Sequence, residues 1–151
     1  MQDTSPIFRF PIRIYWEDTD AGGIVFYANY LKFFERARTE WLRSLGVGQH
    51  SLREDTGGMF VVTHTSMRYV RPARLDDELI VTAQLTEKRP ASLTIAQQAL
   101  LIPGACTNNT SDPATDSAQL LCEGSIRIGW VEAESMKPAR IPSAILEKLN
   151  P

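Results

Sequence analysis

Tyr30, Phe33, Phe34, Ala37, Trp41 and Leu45 recur at the i, i+3, i+4, i+7 spacing of one helical face. Leu31 and Leu42 widen that stripe. Lys32, Arg36, Arg38, Thr39, Glu40 and Arg43 fall mostly on the remaining surface. The period predicts a helix from Ala28 to Leu45, about five turns, with Asn29 as N-cap and Gly46 as the stop. An aromatic stripe this wide needs a broad cover, and a β-sheet is the natural one.

The rest of the chain supplies strands. From Ile7 to Trp16, residues alternate with period two, which predicts a strand; Pro11 assigns it to a sheet edge or a bulge. Asp18 to Gly23 reads as a turn, and Ile24 to Tyr27 as a short extended connection. Gly46 to Gly58 is polar and glycine-rich and reads as a loop, either plain or with a short helical turn, anchored by Val47 and Leu52. Four strand-like runs follow: Met59–Arg71, Glu78–Lys88, Ser92–Ile102 and Gln119–Val131. Arg71–Asp77 is a proline-led corner, Arg89–Ala91 a tight hairpin turn, and Pro103–Ser117 a long polar loop. Pro142–Leu149 has the spacing of a short C-terminal helix. The expected architecture is α+β, one long helix against a curved, mostly antiparallel sheet whose later strands form a meander. The 151 residues are read as one domain, with a core from about residue 7 to 132.

Several functions are disfavoured by composition. A formal charge of −2 gives no electrostatic reason to expect nucleic acid as a partner. Cys106 and Cys122 lack metal or redox spacing, and with only His50 and His64 no metal site is expected. No Gly-x-Ser-x-Gly elbow is present, so a serine hydrolase is not indicated. The polar N-terminus is unlike a signal peptide, and no apolar run approaches a membrane span; both place the protein in the cytoplasm.

The chemistry concentrates before the helix. Glu17, Asp18 and Asp20 precede Gly22 and Gly23, a short apolar run, and the helix start. That order sets carboxylates and permissive backbone beside a helix N-terminus, where unpaired N–H groups and the positive dipole end favour developing negative charge. A carboxylate in such a place can act as a general base or a nucleophile. An Asp in a turn can equally serve only to bond nearby backbone N–H groups.

The stretch Glu17-Asp18-Thr19-Asp20-Ala21-Gly22-Gly23-Ile24-Val25-Phe26-Tyr27, with Asn29-Tyr30 and Phe34-Glu35-Arg36-Ala37-Arg38-Thr39-Glu40, resembles the hotdog-fold acyl-CoA thioesterases. It is most like the 4-hydroxybenzoyl-CoA thioesterase type and its Tol-Pal-associated bacterial branch. Arg71-Pro72-Ala73-Arg74-Leu75-Asp76-Asp77 resembles a second recurrent stretch of that branch. The resemblance covers residues 10 to 132 or so. It implies a hotdog fold, a five-stranded antiparallel sheet wrapped around the central helix, and a homodimer or homotetramer with the active site at a subunit interface. It carries catalysis to Asp20 and the oxyanion N–H to Tyr27; Gly22 and Gly23 between them read as the residues that permit the turn and the close approach of the thioester. Lys88 and Arg89, with Ser92 just after, fall at the turn that contacts CoA phosphates in the hydroxybenzoyl type. Glu35 is a second candidate acid, because some related thioesterases carry theirs on this helix; its other reading is a pair with Arg38 or Thr39. His64 reads as a packed, hydrogen-bonded strand residue. The Tol-Pal branch commonly has His where this chain has Tyr27. The implied substrate is an acyl-CoA or aroyl-CoA thioester, with no separate cofactor since CoA belongs to the substrate. The alternative is a non-catalytic acyl- or CoA-binding protein, or a scaffold with envelope or lipid-synthesis partners.

Overall fold

A computed structural model describes residues 6–103 and 118–149. Its elements are β1 (Phe8–Arg13), a 3₁₀ turn (Trp16–Asp18), α1 (Asn29–Ser44), α2 (Gln49–Thr56), β2 (Gly58–Tyr69), β3 (Glu78–Lys88), β4 (Ser92–Leu101), β5 (Gln119–Glu132) and α3 (Ser143–Lys148). The expected loop after Pro103, with Cys106, lies outside the described residues. The strands form one antiparallel sheet in the order β1-β3-β4-β5-β2. This is the hotdog architecture, and Pro11 does lie on an edge strand.

α1 forms as its pattern demands. Phe33, Phe34, Ala37 and Leu42 are fully buried and meet Leu79, Val81, Leu93, Ile95 and Ile126 from the inner face of the sheet. Burying the two phenylalanines contributes about 3–6 kcal/mol. The helix ends at Gly46 as expected: Gly46 has φ +82°, its N–H donates to Arg43 O (3.0 Å), and Val47 N–H donates to Leu42 O (2.8 Å). Those two bonds are a Schellman stop, which needs a left-handed residue at this position.

Four expectations are corrected. β1 ends at Arg13, not Trp16, because the Asp18 carboxylate accepts the Tyr15 N–H (2.8 Å) and winds Trp16–Asp18 into a 3₁₀ turn. The expected loop after Gly46 contains the two-turn α2, with Gly57 (φ +73°) as its left-handed stop and Leu52 packed on the core. Only β3, β4 and β5 form a meander; β2 lies beyond β5 at the far edge, so the corner after it crosses the end of the sheet to reach β3. Arg38 does not lie on the surface. It is 7% exposed and donates to Gln97 Oε1 (2.9 Å), while Gln97 Nε2 donates to Phe34 O (3.0 Å) and Thr82 O (3.1 Å). Burial lowers the Arg38 pKa from its ordinary value, and the Glu35 charge offsets part of that. Its polar partner Gln97 is itself buried, at 1% exposure, and pairs across the sheet with Gly124.

A Cβ on Gly124 would lie 2.6 Å from Met67 Sδ, 2.6 Å from the Ser66 carbonyl oxygen and 3.3 Å from Phe34. The backbone oxygen cannot step aside cheaply. Gly124→Ala is therefore expected to destabilise the fold by about 2–3 kcal/mol, read as a lower urea midpoint. A midpoint equal to that of the parent chain would show that β2 and Phe34 do not crowd position 124.

Candidate active site

The acidic stretch folds into a small hairpin. Thr19 and Val25 bridge in antiparallel fashion, Asp20 N–H donates to Ile24 O (2.9 Å), and Gly23 N–H donates to Asp20 O (3.0 Å). Gly23 has φ +79°, which accounts for a glycine at the tip of this turn. An added Cβ there would meet nothing within 4 Å, so the space beside Gly23 is open. Gly22 is the glycine that touches the acid: a Cβ there would sit 3.2 Å from Asp20 Oδ1, which accepts the Gly22 N–H at 2.8 Å.

The two aspartates have separate tasks. Asp18 is bound up in structure, its carboxylate on Tyr15 N–H and its carbonyl accepting both Phe26 N–H (3.1 Å) and Asn29 Nδ2 (2.9 Å). Asp20 is exposed, with one carboxylate oxygen on Gly22. Asn29 is not the N-cap that its position suggested. It occupies the first helical position, after Ala28, and its amide ties the helix to the hairpin.

The helix start is wound tightly. Asn29, Tyr30 and Leu31 donate their N–H groups to Phe26 O (2.8 Å), Tyr27 O (3.3 Å) and Ala28 O (3.2 Å). Among the described residues, the Tyr27 and Ala28 N–H groups have no hydrogen-bond acceptor. The Tyr27 ring is 62% exposed and packs on Phe26 (centroids 5.0 Å apart) and edge-on against Tyr69 (5.8 Å). Ile24, Val25, Tyr27, Tyr30, Tyr69 and Pro72 line a cleft of about 310 Å³ beside this helix start. Tyr30 is its buried floor, and burial raises the pKa of its hydroxyl. A larger trough of about 480 Å³ lies over Ser66, Gln84, Ala96 and Ser125 and holds no residue of the hairpin.

The basic candidates are not brought to this place within one chain. The hairpin of Asp20 leans on the corner that enters β3 through the Ile24–Arg74 bridge, whereas Lys88, Arg89 and Ser92 stand at the other end of β3. The eleven residues of β3 span about 33 Å. There Arg89 Nε lies 2.6 Å from Glu87 Oε1, and Arg89 N–H donates to Ser92 O (2.9 Å). Glu35 is exposed and forms no ion pair with Arg38, whose guanidinium turns inward. His64 is exposed rather than packed, with Nδ1 3.1 Å from Thr63 Oγ1. Cys122 is no nucleophile: burial, aided by the Glu123 charge, pushes its thiol up to about 12.

An antiparallel sheet curled over one helix, with a carboxylate hairpin docked on that helix's N-terminus, defines a hotdog protein of the thioesterase class. The chain belongs to the thioesterase-like superfamily, whose family model matches residues 14–149. It is 37% identical over 138 residues to the acyl-CoA thioesterase YbgC of Haemophilus influenzae, covering 91% of this chain and 90% of that one. It is 38% identical over 144 residues to the acyl-CoA thioester hydrolase YbgC of Escherichia coli, covering 95% and 96%. A mutant 4-hydroxybenzoyl CoA thioesterase solved with 4-hydroxybenzoyl CoA shares the fold, with a TM-score of 0.80 at 18% identity over 95% of this chain and 99% of that one.

The Asn29 contact has a sharp test. A capping Asn is replaced well by Asp, because both offer an oxygen to backbone N–H groups. A side-chain amide that donates to the Asp18 carbonyl is not. Asn29→Asp is expected to lower stability by about 1 kcal/mol or more in thermal or urea unfolding. Unchanged stability would return Asn29 to the capping role.

Proposed function

We propose that this chain hydrolyses an acyl-CoA thioester to the free acid and CoA, with Asp20 as the catalytic carboxylate and the Tyr27 N–H as oxyanion donor. The observation that carries the reading is the docking of the Asp20 hairpin on the start of α1, beside backbone N–H groups that lack an acceptor among the described residues. The names of the Haemophilus and Escherichia relatives point to the same reaction and to the same kind of substrate.

Two routes use the same groups. As a general base, Asp20 takes a proton from water while the water oxygen attacks the carbonyl carbon. The carbonyl π-electrons move to oxygen, where the Tyr27 N–H and the helix dipole stabilise them. Collapse restores the carbonyl and expels CoA thiolate, which recovers a proton. As a nucleophile, Asp20 forms an acyl anhydride and releases CoA, and water then cleaves the anhydride. The cleft floored by Tyr30 receives the acyl group, and the open side of Gly23 leaves room for the thioester. Reaction by either route needs no metal and no cofactor beyond the CoA of the substrate.

A homodimer completes this reading. β1 protects its edge with Pro11, Arg9 and Arg13, whereas β2 is a twelve-residue end strand with Val62 and Tyr69 exposed. Antiparallel pairing of β2 with its own copy turns the partner end for end. The Lys88, Arg89 and Ser92 hairpin of one chain then comes to the end of the sheet that holds the Asp20 hairpin of the other, within reach of CoA phosphates. Among the described residues no helix is long and apolar enough to cross a bilayer.

Asp20→Asn isolates the charge, because Asn also accepts the Gly22 N–H and keeps the turn. On a panel of acyl- and aroyl-CoAs, kcat is expected to fall at least about 100-fold in the folded variant, and Tyr27→Phe, which retains the backbone N–H, to lose at least tenfold less. Full activity in Asp20→Asn would remove Asp20 from the reaction, whereas no turnover of any thioester by the parent chain leaves the non-catalytic binding or scaffold role. By sedimentation the parent chain is expected at twice the monomer mass or a multiple of it. Val62→Lys is expected to shift it toward monomer with a parallel loss of turnover; a fully active monomer would reject the shared site.

A further inference from the structure

The Asp20 hairpin is held at two points that the thioesterase chemistry does not itself explain. One is the Asn29 amide described above. The other is a relay through the corner between β2 and β3. Ala73 N–H donates to the Tyr30 hydroxyl oxygen (3.2 Å), and Ala73 O accepts Val25 N–H (2.9 Å). Val25 bridges to Thr19, the residue before Asp20, and its neighbour Ile24 bridges to Arg74 and accepts Asp20 N–H. Tyr30 belongs to α1, so its hydroxyl joins the helix, the corner and the hairpin in one line of hydrogen bonds.

The relay is built to be stiff. Tyr30, Ala73 and Val25 are 3%, 0% and 4% exposed, so water cannot replace a lost partner. The Tyr30 ring is fixed edge-on to Phe33 (centroids 5.8 Å apart, planes at 78°) and against Tyr69 (5.8 Å). The corner is braced from its other side: Arg74 N–H donates to Asp77 Oδ2 (2.8 Å), and Asp76 N–H donates to Ile14 O (3.0 Å). A hydroxyl at Tyr30 adds little to core packing that Phe would not supply. Its particular contribution is an acceptor for a buried N–H on the segment that holds the hairpin.

We propose that Tyr30 is a positioning residue: through Ala73, its hydroxyl fixes the Asp20 hairpin against the N-terminus of α1. The inference rests on the proposed hydrolytic role of Asp20 for its kinetic consequence, but not for its structural one. A carboxylate displaced by an ångström or so loses reactivity without losing substrate affinity, because the reacting atoms no longer align. The hydroxyl touches no reacting atom in this scheme.

Tyr30→Phe removes the oxygen and keeps the ring. In the folded dimer, kcat on the best acyl-CoA of the panel is expected to fall about tenfold, with KM within about twofold, at a temperature well below melting. Amide hydrogen exchange of the same variant is expected to quicken at least tenfold at Asp20, Gly23 and Val25, while amides of β4 and β5 keep their rates. Unchanged exchange at the hairpin overturns the proposal whether or not the protein is a thioesterase. Faster exchange with unchanged kcat also overturns it, since the hairpin would then be looser without consequence. If the parent chain hydrolyses no thioester, the hydrolytic reading fails and the exchange result alone decides the relay. Should Tyr30→Phe fail to fold, exchange in the parent chain provides the test. The Ala73 and Val25 amides are expected to open together, with protection factors within threefold, and a tenfold difference would show that they are not one unit.

Discussion

Burial of one face of α1 is the constraint on which the rest of the molecule depends. Phe33, Phe34, Ala37 and Leu42 leave no face of that stripe for water, so the sheet must curl over the helix and close on it. Gly124 leaves room where Phe34 nears the sheet, and Gln97 beside it satisfies a buried arginine and the Phe34 carbonyl instead of adding an apolar contact. Fixing the helix axis also fixes its N-terminus. The site is thus a by-product of core packing: the unpaired N–H groups and the positive dipole end stand where the sheet has put them.

The hairpin then meets that terminus through short-range polar contacts. Asp18, Asn29 and Phe26 form the inner joint, and Tyr30, Ala73 and Val25 the outer one. With Asp18 consumed in holding the turn, Asp20 is left exposed at the tip, with one carboxylate oxygen steadied by Gly22. Two acids of the same type and two residues apart therefore differ in what they can do because of where their oxygens are committed. The aromatic cleft alongside is continuous with the core through Tyr30, so in the proposed reaction the acyl group would meet side chains that also belong to the fold.

Much of this was legible in the residue order. The helix period, the alternating strands, the edge proline and the Gly46 stop each carry a local signal, and the acidic motif carries the family. What was not legible depends on tertiary contacts. The placement of β2 beyond β5 leaves no local trace, because the corner from Arg71 to Asp77 looks like a hairpin connection whichever strand it reaches. Asn29 has the composition of a cap, and only the nearby Asp18 carbonyl turns its amide into a donor. Charge marks Arg38 as a surface residue, yet it lies four residues after Phe34 on the buried stripe, and Gln97 shares the alternation of the buried Leu93, Ile95 and Ala99. The relay through Tyr30 could not be seen, since nothing in a sequence marks which backbone N–H a tyrosine will reach.

In the proposed reaction the start of α1 and the tip of the hairpin act on one carbonyl. The most direct measurement is a crystal structure of the Asp20→Asn chain with a bound acyl- or aroyl-CoA. The thioester carbonyl oxygen is expected about 3 Å from the Tyr27 nitrogen, with the residue 20 side chain on the carbonyl carbon and the acyl group against Tyr30. A thioester bound with its carbonyl away from that N–H, or lodged in the trough over Ser66 and Ser125, would contradict it.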